Sequence, residues 1–347
     1  MSELGAGDGG RIWAALRETV GRAVVGQEPA LRLLATALLA EGHALIEDVP
    51  GTGKTLLARA FSAALGLQFA RVQGTPDLLP SDVTGSSVLA TGTSPPAATV
   101  DAGRATGDHA AVGGIVESGE AFRFVPGPIF TNVLLVDEIN RATPRTQSAL
   151  LEAMQEGRVS VDGVTRQLPR PFLVLATQNP IELEGTFALP EAQLDRFLVR
   201  VTVGYPSDQG ERAIARRYRE QAEPLDLVTP VLPASEVLAL QDRVRGVTVA
   251  DEVERYLVAI VRATREHPSL RLGASPRASV ALYRASQAWA LLAARDFVLP
   301  DDVATVAVAV LPHRLLVDVD QELRGASAPE IVAEILATTP VPVGEGT

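Results

Sequence analysis

The sequence predicts an α/β protein, a doubly wound parallel sheet followed by a smaller all-helical lid domain. Three observations carry this. Short apolar runs of strand length ("HALIE", "FARV", "NVLLVD", "PFLVLAT" and "FLVRVTV") alternate with stretches whose apolar residues recur at helical spacing, as in a parallel sheet covered on both faces. The first run leads directly into a glycine-rich loop and a helix. After "TVGYPSDQG" the strand-like runs cease, and from about Asp208 the pattern is helical.

Composition sets the class. A chain of 347 residues, 46% hydrophobic, can bury a sizeable core and suits two domains of roughly 150 residues. The N-terminus, "MSELGAGDGG", shows no basic segment before an apolar one. The longest apolar runs, such as "VATVAVAVL" from Val303, reach about half of the roughly 18 to 20 residues that span a bilayer. Zero cysteines exclude a disulfide framework, a thiol nucleophile and a cysteine zinc site; a cytoplasmic protein is expected. His43, His109, His267 and His313 lack metal-ligand spacing and read as isolated structural or surface residues. A net charge of −11 weighs against broad binding to nucleic-acid phosphates, which needs clustered Lys and Arg.

The elements follow in order. "RIWAALRETVGRAV" and "EPALRLLATALLAEG" read as amphipathic helices ahead of the first strand, "HALIE". The loop after it, "DVPGTGKT", departs by one residue from the phosphate-binding pattern G-x-x-x-x-G-K-[ST], because Asp48 stands where the first glycine should be. Asp tolerates left-handed backbone and can close an Asx-turn, so it can turn the chain without touching phosphate.

The basic residues decide that the loop is a nucleotide site. Of 31 Lys plus Arg, 30 are Arg, and the lone lysine is Lys54, between Gly53 and Thr55. A compact ammonium can enter a tight loop and reach the β- and γ-phosphates as a point charge, whereas a planar guanidinium is too wide. Gly51 and Gly53 allow backbone N–H groups to form an anion nest, Thr55 offers a hydroxyl to Mg²⁺, and "KTLLARAFSAALG" continues as a helix whose N-terminus faces the phosphates.

"NVLLVDEINRA" is a buried strand ending in two carboxylates. Asp137 is placed to hold Mg²⁺ through water and Glu138 to polarise an attacking water. "PFLVLATQNP" repeats the architecture with Thr177, Gln178 and Asn179 at its C-terminal end, where open α/β sheets bind ligands. Asn179 can orient the lytic water.

These parts, in this order, resemble an AAA+ ATPase, and the flanking stretches resemble the MoxR branch: "VVGQE" (24 to 28), "TPDLLPSDVTG" (75 to 85), "FRFVPGPIFTNVLLVDEINRATPRTQSALLEAMQEG" (122 to 157), "LATQNPIELEGTFALPEAQLDRF" (175 to 197) and "GASPRA" (273 to 278). The resemblance spans about residues 10 to 335. It implies a nucleotide-binding core over 1–206, with a helix-2 insert over about 86–121, and a helical lid over 207–340. "GSSVL" and "AFRFVPG" are the expected arms of the insert hairpin. The Gly, Ala, Ser, Thr and Pro-rich residues 89 to 119 between them, longer than in related chains, are expected to be mobile. "RVSVDGVTRQLP" alternates around Asp162-Gly163, a two-residue hairpin signal at the position of the pre-sensor hairpin.

The resemblance also implies ATP and Mg²⁺ as cofactors. Nucleotide contacts fall on Gly26 and Gln27 and on Pro50, Gly51, Thr52, Gly53, Lys54, Thr55 and Leu56. Mg²⁺ falls to Thr55 and Asp137, and catalysis to Glu138, Asn179, Arg196 and Arg277. Arg277 in "GASPRASV" resembles the sensor 2 arginine, acting on its own subunit's nucleotide or a neighbour's. Arg196 in "LPEAQLDRF" resembles a finger reaching a neighbour's ATP. Leu189, Ala192 and Leu194 would pin a short helix beneath it, and Phe197 would start the last strand. Alternatives are a salt bridge of Arg196 to Asp195 or Glu191, with Arg145 as the finger.

A homo-oligomeric ring, a hexamer in the family, is expected to remodel a protein partner, in this family often one with a von Willebrand factor A domain. A nucleic-acid motor, a chelatase-type ATPase subunit and a non-hydrolysing scaffold are the other readings. Acidic charge opposes the first, and the presence of Glu138 and Asn179 opposes the last.

Overall fold

The computed structural model describes residues 6–89, 122–179, 185–219 and 223–342. All but the first residue of the low-complexity stretch expected to be mobile lies outside the described residues.

The chain opens with α1 (Ala6–Ala23) and α2 (Glu28–Leu39), then β1 (Ala44–Glu47), the glycine loop and α3 (Lys54–Ala64). β2 (Phe69–Gln73) and α4 (Pro80–Thr84) lead into β3 (Gly85–Leu89), which pairs antiparallel with β4 (Phe122–Pro126), the two arms expected of the insert hairpin. β5 (Val133–Asp137), α5 (Pro144–Glu156), the hairpin β6 (Arg158–Val161) and β7 (Val164–Gln167), β8 (Leu173–Gln178), α6 (Glu191–Leu194) and β9 (Val199–Val201) complete the core. Asp162 and Gly163 both take positive φ, 53° and 77°, at the two-residue turn between β6 and β7.

Among the described residues the main sheet has five strands in the order β2-β5-β8-β1-β9, and its strand pairs run parallel. Its two faces follow from the two-residue period of each strand. Ala44, Ile46, Val133, Leu135, Leu173, Leu175, Val199 and Val201 pack with α1, α2, α3 and the lid, while Leu45, Leu134, Val136, Val174 and Ala176 pack with α5. The apolar core thus runs unbroken from one face of the sheet into the lid.

The lid contains α7 (Asp208–Arg219), α8 (Ala234–Arg245), α9 (Asp251–Glu266), α10 (Pro276–Leu292), α11 (Pro300–Val310), α12 (Val319–Leu323) and α13 (Ala328–Thr338). It is not purely helical. β10 (Leu270–Leu272) pairs antiparallel with β11 (Leu316–Val317), a ribbon too short to show alternation in the sequence. α1 also starts earlier than the apolar spacing from Arg11 indicates. Gly9 and Gly10 are unfavourable helix residues, but a Cβ at Gly9 would lie 2.4 Å from the Leu291 carbonyl oxygen and one at Gly10 2.7 Å from Ala294 Cβ. Close approach to the lid is what requires them. No helix among the described residues is long and apolar enough to cross a membrane.

Candidate functional site

The parallel register places the chemistry at one edge. Gln73 pairs with Asp137, Val136 with Ala176 and Ile46 with Thr177, so the C-terminal ends of β2, β5, β8 and β1 lie level. The connection after β1 runs to β2 on one side and the connection after β8 runs to β9 on the other, so the crevice where such sheets take ligands lies at the ends of these two neighbouring strands. The loop after β1 turns on Gly51 and Gly53, with φ of 84° and 83°, and Gly53 is the N-cap of α3. Two consecutive residues, Lys54 and Thr55, therefore open the helix at the positive end of its dipole. Thr52 is buried, and Pro50, Gly51 and Gly53 are exposed.

Lys54 Nζ donates to the carbonyl oxygens of Val49 at 2.6 Å and Asp48 at 3.0 Å. Burial lowers its pKa, and the Asp48, Asp137 and Glu138 carboxylates oppose that shift. The only lysine of the chain thus stands within the field of all three carboxylates.

Asp48 departs from the role expected of it. Its φ is not positive; instead the buried carboxylate accepts from its neighbour Val49 N–H at 2.7 Å through Oδ1 and from Gly204 N–H at 2.7 Å through Oδ2. Gln27 Nε2 donates to the Gly204 carbonyl at 3.4 Å. Gly204, which the sequence reading missed, therefore ties the loop to Gln27, beside Gly26, at the segment leading from core to lid.

Thr177 organises the carboxylate pair. Its hydroxyl donates to Asp137 Oδ1 at 2.6 Å and accepts the Glu138 N–H at 2.8 Å. Glu138 has left-handed backbone, φ 54° and ψ 52°, an unusual state for a non-glycine residue that turns its side chain off the strand. Its Oε2 accepts from Gln73 Nε2 at 3.0 Å and from Arg141 Nη1 at 3.4 Å, and Arg71 Nη2 pairs with Asp137 Oδ2 at 2.5 Å. Arg71 and Gln73 were not read from the sequence. The two-residue period of "FARVQ" puts them on one face of β2, but only the β2–β5 register shows what that face meets.

Asn179 follows β8 and is half-buried. Arg196 follows α6, and Leu189 is buried beneath as expected, but Ala192 is exposed and β9 begins at Val199 rather than Phe197, which is a fully buried link before it. Asp195 does not pair with Arg196. It is held by Arg314 Nε at 2.9 Å and by Ser275 Oγ at 3.1 Å, and Arg196 Nε is buried without a partner. Arg277 is exposed in the first turn of α10, and Arg145 is exposed in the first turn of α5. The described residues include no group of three or more His, Asp or Glu arranged to hold a metal ion by themselves. His43 and His313 are buried in the core, as structural histidines.

A glycine loop after an inner strand of a five-stranded parallel sheet, facing paired carboxylates two strands away and joined to a helical lid, is the build of an AAA+ ATPase. The sequence matches the family described as ATPase family associated with various cellular activities (AAA) over residues 43–103 and 108–199, and the AAA lid domain over 262–335. It is 46% identical over 326 residues to YeaC of Bacillus subtilis, covering 94% of this chain and 93% of that one. It is 40% identical over 333 residues to Chaperone MoxR1 of Mycobacterium tuberculosis, covering 93% and 80%. The crystal structure of a candidate ATPase from Cytophaga hutchinsonii superposes with a TM-score of 0.83 at 34% identity, covering 96% of both chains. Magnesium-chelatase subunits are more distant, the ChlI-1 subunit of Arabidopsis thaliana being 30% identical over 59% of this chain. The chain belongs to the MoxR family of AAA+ ATPases, and it binds and hydrolyses ATP.

Proposed function

We propose that this ATPase works as a homo-oligomeric, hexameric ring that remodels or matures a protein partner in the cytoplasm. The observation that carries the reading is the register-aligned edge at which Lys54, Asp137, Glu138 and Asn179 surround one glycine loop. Lys54 reaches the β- and γ-phosphates, Glu138 polarises the attacking water and Asn179 orients it. Gly26 and Gln27 take the adenine side, Pro50 to Leu56 wrap the phosphates, Arg277 senses nucleotide from the lid, and Arg196 reaches a neighbour's phosphoryl group.

Mg²⁺ fits the donors present: the Thr55 hydroxyl and the Asp137 carboxylate are hard oxygen ligands, and Thr177 orients Asp137. When bound with ATP, the ion neutralises charge on the phosphate oxygens.

A protein partner is favoured by the hairpins. Val88, Leu89, Phe122 and Val164 are exposed apolar residues on the β3–β4 and β6–β7 hairpins, and Arg166 stacks 3.8 Å from the Phe124 ring between them. An apolar, coupled pair of hairpins suits polypeptide better than phosphate backbone. A partner with a von Willebrand factor A domain is the class to which the family resemblance points, and the name of the M. tuberculosis relative, a chaperone, accords with remodelling. Chelatase-type action is disfavoured by the distance of those relatives.

ATP turnover should require Mg²⁺ and rise with a von Willebrand factor A partner encoded beside this chain, not with DNA. Lys54→Ala should abolish nucleotide binding, and Glu138→Gln should bind ATP and retain it. Unchanged turnover in both variants overturns the site assignment, and stimulation by DNA alone overturns the choice of partner.

A further inference from the structure

Arg314 follows α11 in the lid, and its side chain is 3% exposed. Burying a guanidinium is costly unless its donors are satisfied. Here they are concentrated on one segment of the core. Nε donates to Asp195 Oδ1 at 2.9 Å, Nη2 to the carbonyl oxygens of Phe197 at 2.6 Å and Asp195 at 3.4 Å, and Nη1 to that of Leu198 at 3.2 Å and to that of Val310 within the lid. His313 Nε2 lies 3.0 Å from the same Phe197 carbonyl. The lid thus grips the backbone immediately before and after Arg196, whose own Nε has no partner. With no hydrogen bond at Nε to fix it, the Arg196 side chain takes its direction from its base, and the lid holds that base.

The second oxygen of Asp195 leads back to the lid at another point. Ser275 Oγ donates to Asp195 Oδ2 at 3.1 Å. Ser275 is the N-cap of α10, two residues before Arg277, and a serine there ordinarily accepts an N–H of its own helix. This one makes no such cap; its hydroxyl is directed at Asp195. One carboxylate therefore joins the first turn of the helix bearing Arg277 to the residue adjoining Arg196.

We propose that Asp195 is a positioning residue that couples α10 to Arg196, so that the lid of each subunit sets the arginine presented to its neighbour's ATP. The proposal rests on the reading of Arg196 as a finger acting between subunits. It adds a path by which nucleotide sensed at Arg277 reaches the next site in the ring, through Ser275 and Asp195, with Arg314 fixing the segment from the other side.

The test is a mutant cycle on ATP turnover in the assembled full-length protein, with Ser275→Ala, Asp195→Asn and Arg196→Ala alone and in pairs. Ser275→Ala and Asp195→Asn should each lower kcat by about tenfold or more with KM for ATP within about twofold, and should add no further loss to Arg196→Ala. Ser275→Thr, which keeps the hydroxyl, should restore kcat. Losses that multiply with that of Arg196→Ala, or that follow a fall in melting temperature instead of the Arg196 background, overturn the coupling and leave an ordinary interdomain staple. Parental turnover in Arg196→Ala alone shows instead that the finger reading has failed, and the coupling with it. If Asp195→Asn does not fold, Ser275→Ala decides alone, since it leaves the Arg314–Asp195 pair intact and removes no helix cap.

Discussion

The Thr177 hydroxyl lies 2.6 Å from Asp137 Oδ1 while accepting the Glu138 N–H at 2.8 Å, so a single buried oxygen on one strand holds the carboxylate of Asp137 and the backbone of Glu138 on the next. Thr177→Val keeps the shape and the β-branching but leaves a carboxylate oxygen and a buried N–H unpaired. Outer partners of this kind are worth about 10- to 100-fold in activity, so Thr177→Val should lose that much kcat while binding ATP near parental affinity. Thr177→Ser should recover most of it. The check is steady-state turnover beside equilibrium binding of a fluorescent ATP analogue, and a valine variant with parental kcat removes Thr177 from the site.

Asp48 yields a prediction opposite to the one its motif invites. Restoring glycine there brings the loop to the usual pattern, yet Asp48→Gly deprives Val49 N–H and Gly204 N–H of their acceptor and deletes a carboxylate that opposes the burial-driven lowering of the Lys54 pKa. Losing buried acceptors of this kind costs about 1–3 kcal/mol, so the glycine variant should be less stable by about 2 kcal/mol in urea unfolding and should bind ATP more weakly. Asp48→Asn, which keeps one acceptor oxygen, should fall between. Equal or higher stability in Asp48→Gly shows that the tie to Gly204 carries no weight.

The contrast with Asp48 shows what the sequence could reveal. The glycine loop, the lone lysine, the carboxylate pair and both hairpins were legible because each is a local pattern of a few residues whose backbone demands are strong. The contacts that arrange them were not. Thr177 reaches Asp137 from 40 residues away, Gly204 reaches Asp48 from 156, and Arg314 reaches Asp195 from 119. Those pairings depend on strand register and on how the lid packs, neither of which has a periodic signature. The same reason hid the start of α1, where Gly9 reads as a helix breaker until Leu291 is seen against it.

The reading of Arg196 as an intersubunit finger predicts complementation. Arg196→Ala should bind ATP normally and hydrolyse it about 10³- to 10⁵-fold more slowly, the usual worth of a finger supplied in trans. Lys54→Ala lacks the phosphate contact but retains Arg196. Mixing the two inactive variants should regain turnover, because some interfaces then pair an intact glycine loop with an intact Arg196. If subunits exchange, measured by energy transfer between labelled copies, and no activity returns, Arg196 acts within its own chain or Arg145 takes the role.

His43 predicts an acid limit to stability. Its Nδ1 accepts the Val174 N–H at 3.0 Å, so the proton is on Nε2, which donates to the Met154 carbonyl at 2.9 Å. Protonating Nδ1 would set a buried N–H against another N–H. Burial, aided by the Arg284 charge, lowers the pKa from 6.5 to about 4, against the hydrogen bond to Met154. A histidine depressed in the folded state takes up its proton more readily when unfolded, so its contribution is complete above pH 6.5 and is lost as pH falls towards 4. Between pH 7 and 5 the loss amounts to about 2 kcal/mol from this group alone, at 1.36 kcal/mol per unit. His313, buried beside Arg314 with its pKa also lowered by burial and by that charge, acts in the same direction. Urea unfolding at pH 7 and pH 5 should show the decrease, and His43→Gln, which does not titrate, should flatten part of it even if less stable at pH 7. An unchanged pH slope in that variant assigns the acid sensitivity away from His43, with His313 the next group to test.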